Sequence, residues 1–423
     1  MNITEIKSSI LSGRYDRDFK MLYGGEGHAR SRYLKACESF EALFSETEGI
    51  RLFSAPGRTE IGGNHTDHQH GCVLAGSVNL DVIAVAAPNA DNKIRIKSEG
   101  YEMDVIDLSE LDAVPDERGR ASALIRGVCS RFKEMGCRLS GFNAYTTSNV
   151  LKGSGLSSSA AFEVLVGTII NGMLYGGKAD AVTVAKIGQY AEKEYFGKPC
   201  GLLDQMASSL GGFTYADFRD PENPITEKIE LDINAYGYTL CVVDTGGNHA
   251  DLTHDYADIT VECKKISREL GVEFLRDADT GAFYDSIASL RKSCGDRAVL
   301  RAFHFFNEQL RVEKQKAALK SGDFEEFLRQ VGESGDSSYD YLQNLYSTSA
   351  VSEQGLPLAI ALTKKFLNGR GACRVHGGGF AGTVQCYIPS EQLDGYKEMI
   401  EKVFGKGSCC ELKIRPVGGY EIK

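Results

Sequence analysis

The chain has no tryptophan, no Cys-x-x-Cys pair, no excess of basic residues and no apolar run near the length of a membrane helix. Each absence removes a class of protein. A span needs roughly 18 or more consecutive apolar residues, and the opening MNITEIKS lacks the basic-then-apolar order of a secretory signal. No membrane partner and a cytoplasmic location are therefore expected. Lys and Arg number 48 against 58 Asp and Glu, a formal net charge of -10, which argues against a nucleic-acid partner because phosphate backbones select basic surfaces. The twelve cysteines are scattered, with one adjacent pair at Cys409 and Cys410. That arrangement suits neither a zinc framework nor a disulfide scaffold, and reduced, buried thiols are expected. Without tryptophan, no residue stands out as a stacking partner for adenine. There is no internal repeat and no low-complexity tract, and 42% hydrophobic with 25% charged residues is ordinary for a globular chain. At 423 residues the chain is long for one hydrophobic core, so two domains are expected.

What the chain does have is a dense glycine–serine segment, GSGLSSSAA from Gly153 to Ala161, placed directly ahead of an apolar, helix-competent run over about Ser158–Tyr175. Glycines let a backbone bend closely round an anion, the first helical turn presents unpaired N–H groups, and hydroxyls add donors or a metal ligand. The spacing is neither that of the Walker loop nor Gly-x-Gly-x-x-Gly. Taken alone, the segment also suits a plain turn before a core helix.

Elsewhere the pattern alternates helices and strands. Tyr33, Leu34, Cys37, Phe40 and Phe44 recur with a helical period in a leader from about Ser31. Val82–Ala87 and Tyr101–Leu108 read as strands, and a second helix after the serine block runs from about Ala179 to Phe196, stopped by Gly197 and Pro199. Asp217–Asn234 is polar, holds Pro221 and Pro224, and is expected to link the domains, which divide as 1–225 and 226–423. Beyond it, Tyr238–Asp244, Thr383–Ile388 and Glu411–Val417 read as strands, and Asp255–Leu270, Asp296–Ala318, Phe324–Leu345 and Leu356–Leu367 as helices. The class is α+β or α/β.

Three further segments accompany the serine block: APGRTEIGGNHTD over Ala55–Asp67, CGLLDQM over Cys200–Met206 and HGGGFAG over His376–Gly382. In this order the four resemble the signature set of the GHMP small-molecule kinases, and the first is similar to that of the galactokinase branch. The resemblance implies an α+β, two-domain GHMP kinase fold. Its N-terminal domain would be ribosomal-protein-S5-like and its C-terminal domain ferredoxin-like, with the site between them. It implies transfer of phosphate from ATP to the anomeric C1 hydroxyl of a monosaccharide, galactose first.

Residue roles follow from the same resemblance. Asp204 is the carboxylate that orients or deprotonates the hydroxyl, and Arg58 stabilises the transferring charge. Gly153, Ser154, Gly155, Leu156, Ser157, Ser158 and Ser159 would cradle the ATP phosphates. Ser159 and Glu192 would hold Mg2+, a hard ion satisfied by one hydroxyl, one carboxylate, phosphates and water. Asn64, His65, Asp67, Gly201, Asp204 and Tyr256 would meet the sugar. The expected partners are small molecules, a sugar and ATP, and the expected state is a monomer or weak homodimer.

The sugar segment departs from the pattern. Galactokinases read Gly-Arg-Val-Asn-Leu-Ile-Gly-Glu-His-Thr-Asp-Tyr-Asn-Gly-Gly, where this chain has GRTEIGGNHTDHQHG over Gly57–Gly71. Asn64 replaces the glutamate that faces the sugar's C6 hydroxyl in that family, which removes a negative charge there and adds N–H donors. Galacturonate, with a C6 carboxylate, is thus an alternative to galactose. Glu60 and Gly62 also differ, and the sequence gives them no contact. Two other classes remain open: a catalytically silent sugar and ATP sensor, and a metal hydrolase built on His65, Asp67, His68 and His70.

Overall fold

The computed structural model describes residues 1–45, 48–150, 155–198, 200–247 and 252–423, without the side chain of Thr253. Leu151, Gly153 and Ser154 of the serine block, Pro199 and His249 lie outside the described residues.

A leader of three helices comes first, α1 (Ile3–Leu11), α2 (Asp16–Tyr23) and α3 (Gly27–Leu43). Asn2 and Glu5 cap α1 reciprocally, at 2.8 and 2.9 Å. Next come β1 (Arg51–Gly62), β2 (Cys72–Pro88), β3 (Lys93–Ser98), β4 (Met103–Asp107), α4 (Ala121–Glu134) and β5 (Phe142–Ser148). The long helices α5 (Ser158–Leu174) and α6 (Ala181–Tyr190) follow, then α7 (Leu203–Leu210), β6 (Phe213–Asp217) and β7 (Ile225–Ile229). The second half runs β8 (Tyr238–Asp244), α8 (Thr253–Glu269), α9 (Thr280–Ser293), α10 (Asp296–Ser321), α11 (Phe324–Ser337) and α12 (Gly355–Leu367). It ends with β9 (Ala372–His376), β10 (Thr383–Pro389), α13 (Leu393–Phe404), β11 (Cys409–Leu412) and β12 (Tyr420–Ile422).

Among the described residues, β12, β1, β2, β5, β3 and β4 form a mixed sheet in that order, with β6 pairing β2 and β7 pairing β6. The strands β11, β8, β10 and β9 make a separate antiparallel sheet of four. Helices cover both sheets, which gives the α+β layering expected from the pattern. The leader buries Ile6, Ile10, Phe19, Tyr33 and Phe40 against Leu52, Ile83 and Val85 of the first sheet. The largest core joins the halves, since Phe53, Ala84, Leu165 and Phe213 share it with Leu240, Val242, Phe327 and Tyr387.

Two expectations about the connection meet a different geometry. Part of the polar stretch Asp217–Asn234 is strand β7, which pairs with β6 from Phe213↔Ile229 to Asp217↔Ile225. It reads as a linker because it is an edge strand in which only Ile229 is buried. The last strand, β12, returns to pair with β1, so residues on both sides of position 225 build the first sheet. No described helix is long and apolar enough to cross a membrane, and all twelve cysteines are free thiols, nine of them buried.

Candidate active site

The strand β1 carries the first charged group into the cleft. Its ladder with β2 is irregular between Pro56 and Arg58 and again between Glu60 and Gly62, and such bulges re-aim side chains at functional sites. Arg58 lies in this stretch and is buried. Its Nε donates to Asp204 Oδ1 at 2.7 Å, and its NH1 donates to the carbonyl of Gly155. The backbone N–H of Arg58 bonds the carbonyl of Leu156 at 2.9 Å. One arginine thus ties the first turn of α7, which presents Asp204, to the glycine–serine turn ahead of α5.

Burial would raise the Asp204 carboxyl, but the Arg58 guanidinium and the Ser157 hydroxyl outweigh it and hold the group below its ordinary range. Ser157 Oγ donates to Asp204 Oδ2 at 2.7 Å. Through that contact Ser157, expected on the phosphates, meets the carboxylate. Its backbone is left-handed, φ 55°, as is that of Gly155, φ 68°. A Cβ on Gly155 would lie 2.9 Å from His376 Nδ1, so a glycine is needed there on two counts. Leu156 is fully buried beneath this turn, and Ser158 and Ser159 begin α5, whose first N–H groups have no helical partner.

Among the residues expected to meet the sugar, Asp67 packs against Gly201: a Cβ at 201 would stand 1.6 Å from Asp67 Oδ2. Burial, then the charges of Asp204 and Glu60, push the Asp67 carboxyl up to about 6. His65 Nε2 donates to the Gly378 carbonyl at 2.8 Å, Tyr256 Oη donates to the Gly379 carbonyl at 2.9 Å, and the two rings stack with centroids 6.5 Å apart. Burial lowers His65 to about 4, so the ring is neutral. His65, Tyr256 and the triple glycine therefore make one wall, and Asp67, Gly201, Asp204 and Arg58 make another.

Asn64 is brought to this wall but lies beneath it. It is fully buried. Its Nδ2 donates to Glu60 Oε1 at 2.8 Å and to the Gly377 carbonyl at 2.7 Å, while its Oδ1 accepts from Asn344 at 2.8 Å. The expectation that position 64 offers free N–H donors to a sugar is corrected, because those donors are already bonded. Glu60 sets its carboxyl against the Asn64 amide, and burial raises that carboxyl despite the Arg374 guanidinium beside it. Glu60 also pairs with the fully buried Arg374 at 2.7 Å. Of the histidines of the hydrolase reading, His65 and His68 meet edge to face with centroids 6.1 Å apart, but His65 bonds the Gly378 carbonyl and His70 turns away to stack on Phe274 with centroids 3.6 Å apart. No group of three or more His, Cys, Asp or Glu among the described residues is placed to hold a metal.

Glu192 sits on a π-helical turn, Ala191–Phe196, that continues α6, and such turns recur at functional sites. Only 2% of it is exposed. Ser159 Oγ donates to Glu192 Oε1 at 3.3 Å, and the Lys198 ammonium meets the same oxygen at 3.0 Å. Gln205 Nε2 supports Glu192 Oε2 at 2.8 Å and Glu163 Oε2 at 2.9 Å. Burial first and the Glu192 charge second raise the Glu163 carboxyl well above its usual range. Sequence reasoning missed Glu163, Lys198 and Arg374. Gln205 was legible as the residue after Asp204 in the CGLLDQM segment. Two cavities in the second half, of about 610 Å³ beside Asp336 and Leu358 and about 310 Å³ beside Arg301 and Phe380, touch none of these groups.

The chain is similar to known proteins along most of its length. The family of GHMP kinases N terminal domains matches residues 123–212, and the galactokinase galactose-binding signature matches residues 38–88. A galactokinase of Streptomyces coelicolor is 30% identical over 370 residues, covering 87% of this chain and 92% of the relative. A galactokinase of Lactobacillus helveticus is 29% identical over 375 residues, with the same shares covered. The crystal structure of Lactococcus lactis galactokinase complexed with galactose superposes with a TM-score of 0.77 at 22% identity, covering 90% of this chain and 98% of that one. A mevalonate kinase superposes at 0.58 with 13% identity, covering 86% and 98%. With its four motifs brought into contact and this likeness running along most of its length, the chain belongs to the galactokinase family of GHMP kinases.

Proposed function

We propose that this protein transfers the γ-phosphoryl group of ATP to the C1 hydroxyl of galactose, forming galactose 1-phosphate and ADP. The observation that carries the reading is the Asp204–Arg58–Gly155 connection, which joins a carboxylate to a phosphate-type loop through one buried guanidinium. Asp204, kept ionised by Arg58, accepts a hydrogen bond from the sugar hydroxyl and takes its proton as the O–P bond forms. Arg58 spreads the charge on the transferring group. Positioning and electrostatics of this kind supply most of the rate in phosphoryl transfer. Asp67 and Tyr256 line the sugar end, with His65 holding the triple-glycine turn.

The residues present suit a magnesium ion with the nucleotide. Ser159 and Glu192 offer two hard oxygens beside the first turn of α5, and the Lys198 ammonium already rests on Glu192 Oε1, where positive charge is accepted. When bound, the ion neutralises phosphate charge. Galactose is preferred to galacturonate because Asn64 presents no unbonded N–H donor to a C6 carboxylate.

The test is ADP release with Mg-ATP against galactose, galacturonate, glucuronate, glucose, N-acetylgalactosamine and arabinose. Turnover is expected with galactose, and Asp204→Ala should lower kcat by on the order of 1000-fold or more while ATP still binds. Silence across the panel, or undiminished turnover in that variant, would sink the reading.

A further inference from the structure

The cavity of about 310 Å³ lies outside the groups assigned above but borders on one of their walls. Arg301, Leu345 and Phe380, at 2%, 2% and 5% exposed, form its floor, while Asp340, Gln343 and Thr348 stand exposed at its rim. Phe380 also meets the Tyr256 ring edge to face, with centroids 5.3 Å apart, so one ring touches the cavity and the proposed sugar wall at once. Arg301 Nε donates to the Leu342 carbonyl at 3.2 Å and NH1 to Glu262 at 2.8 Å. Its NH2 has no partner among the described residues and is left to the cavity that the side chain lines. A buried donor of this kind is normally met by an acceptor.

Charge decides what could fill it. Asp255 and Asp340 line the cavity together with Arg297 and Arg301. Glu262, outside the lining, already pairs with both arginines, and Asp258 pairs with Arg297. An anion would meet an excess of carboxylates, and a cation would meet the buried guanidinium at the floor. A neutral ligand escapes both penalties. One rich in hydroxyls can accept from Arg301, donate to Asp255 and Asp340 and do either with Gln343 and Thr348, while its C–H face lies on Phe380 and Leu345. The volume is at the small end of ligand pockets, which suits a single sugar ring. The floor is also tied to the glycine-rich turn. Gln343, left-handed at φ 57°, stands between Leu342, whose carbonyl takes Arg301 Nε, and Asn344. The Asn344 carbonyl accepts from the Phe380 N–H at 2.5 Å, and its Nδ2 donates at 3.1 Å to the Gly378 carbonyl, the group that takes the His65 ring. A Cβ on Gly379 would stand 2.1 Å from the Asn344 carbonyl oxygen, so the two segments run in close contact.

We propose that this cavity is a second binding site, for a neutral monosaccharide, and that its occupant steadies the Gly377–Gly379 turn and so tightens sugar binding on the other face of that turn. The coupling rests on the sugar-kinase reading above, whereas the site itself does not. An occupant that bonds Arg301 and Gln343 restrains residues 342–344, and through Asn344 and Phe380 it restrains the turn that carries the Gly378 carbonyl. Coupling of this kind is reciprocal, so each sugar favours the other.

Equilibrium dialysis of the full chain with labelled galactose, glucose and arabinose in the millimolar range, without ATP, counts the sites. The wild type is expected to bind two equivalents of galactose, and Thr348→Trp, which plugs the rim, only one. Asp340→Leu, at an exposed position, should weaken the Thr348-sensitive equivalent about fivefold or more by removing an acceptor, and it decides the matter alone if Thr348→Trp does not fold. In kinetics, Asp340→Leu should raise the galactose KM about threefold and leave the ATP KM within about twofold. No binding of any of the three sugars that responds to either variant overturns the site, and displacement of that equivalent by galactose 1-phosphate overturns its preference for a neutral ligand. A galactose KM unmoved in Asp340→Leu while the second equivalent weakens overturns the coupling. A wild type that turns over no galactose, yet holds a sugar in a Thr348-sensitive manner, sinks the kinase reading and leaves the site standing.

Discussion

Asp67 and Asp204 face one cleft but titrate in different ranges, because only Asp204 has a guanidinium at 2.7 Å. Asp67 is pushed up to about 6 by burial and by its carboxylate neighbours. As a sugar-hydroxyl acceptor it must be ionised, so kcat/KM for galactose should fall as pH drops below about 6, and a profile flat to pH 5 would remove Asp67 from sugar binding. The stability effect has the opposite sense. A carboxyl raised in the fold contributes stability that is complete below the ordinary carboxylate range and is lost as pH rises through about 6. Asp67→Asn should therefore raise Tm at pH 7.5 by on the order of 2 °C, with the gain vanishing near pH 4. Thermal scans at the two pH values check it.

The glycine–serine turn and α5 act as one element, and the turn is built by backbone geometry. Gly155→Ala would put a Cβ in a left-handed position and within 2.9 Å of the His376 ring. It should raise the ATP KM about tenfold and cost roughly 1–3 kcal/mol of stability, while Ser158→Ala, at the half-buried start of the same helix, costs little stability. An ATP KM unchanged in Gly155→Ala would detach this turn from the nucleotide. The π-helical turn after α6 makes a parallel case for the cation. Glu192→Gln keeps the shape and the Gln205 contact but weakens the oxygen proposed to hold magnesium. The magnesium concentration for half-maximal turnover should rise about fivefold or more, and an unchanged requirement would remove Glu192 as a ligand. That turn was not legible beforehand: the run Ala179–Phe196 reads as a single helix, because apolar spacing does not report a one-residue change in hydrogen-bond step. The start of α5 was legible, since glycines, serines and the apolar run adjoin in the chain.

Across the whole molecule, Asp81 joins three distant segments. It is fully buried, accepts from Tyr23 at 2.6 Å, and pairs with Arg32 of the leader and with Arg415 near the C-terminal end. Asp81→Ala strands the buried Arg415 and should cost about 3–5 kcal/mol in urea unfolding, against under about 1 kcal/mol for an exposed control such as Asp296→Ala. Equal losses would reduce the cluster to a surface-like pair. No local pattern marked Asp81, and the leader's first two helices and α4, α7, α9 and α13 passed unread. The longer helices, several strands, the four motifs and the residue types able to handle phosphate, sugar hydroxyl and cation were already legible along the chain, because each depends on spacing within a few residues. Only the tertiary structure decided that Ser157 faces Asp204, that Asn64 lies beneath the wall, and that Glu60 meets an arginine 314 residues away. Burial and charge pairing belong to groups brought together by folding, so adjacency in sequence carries no record of them.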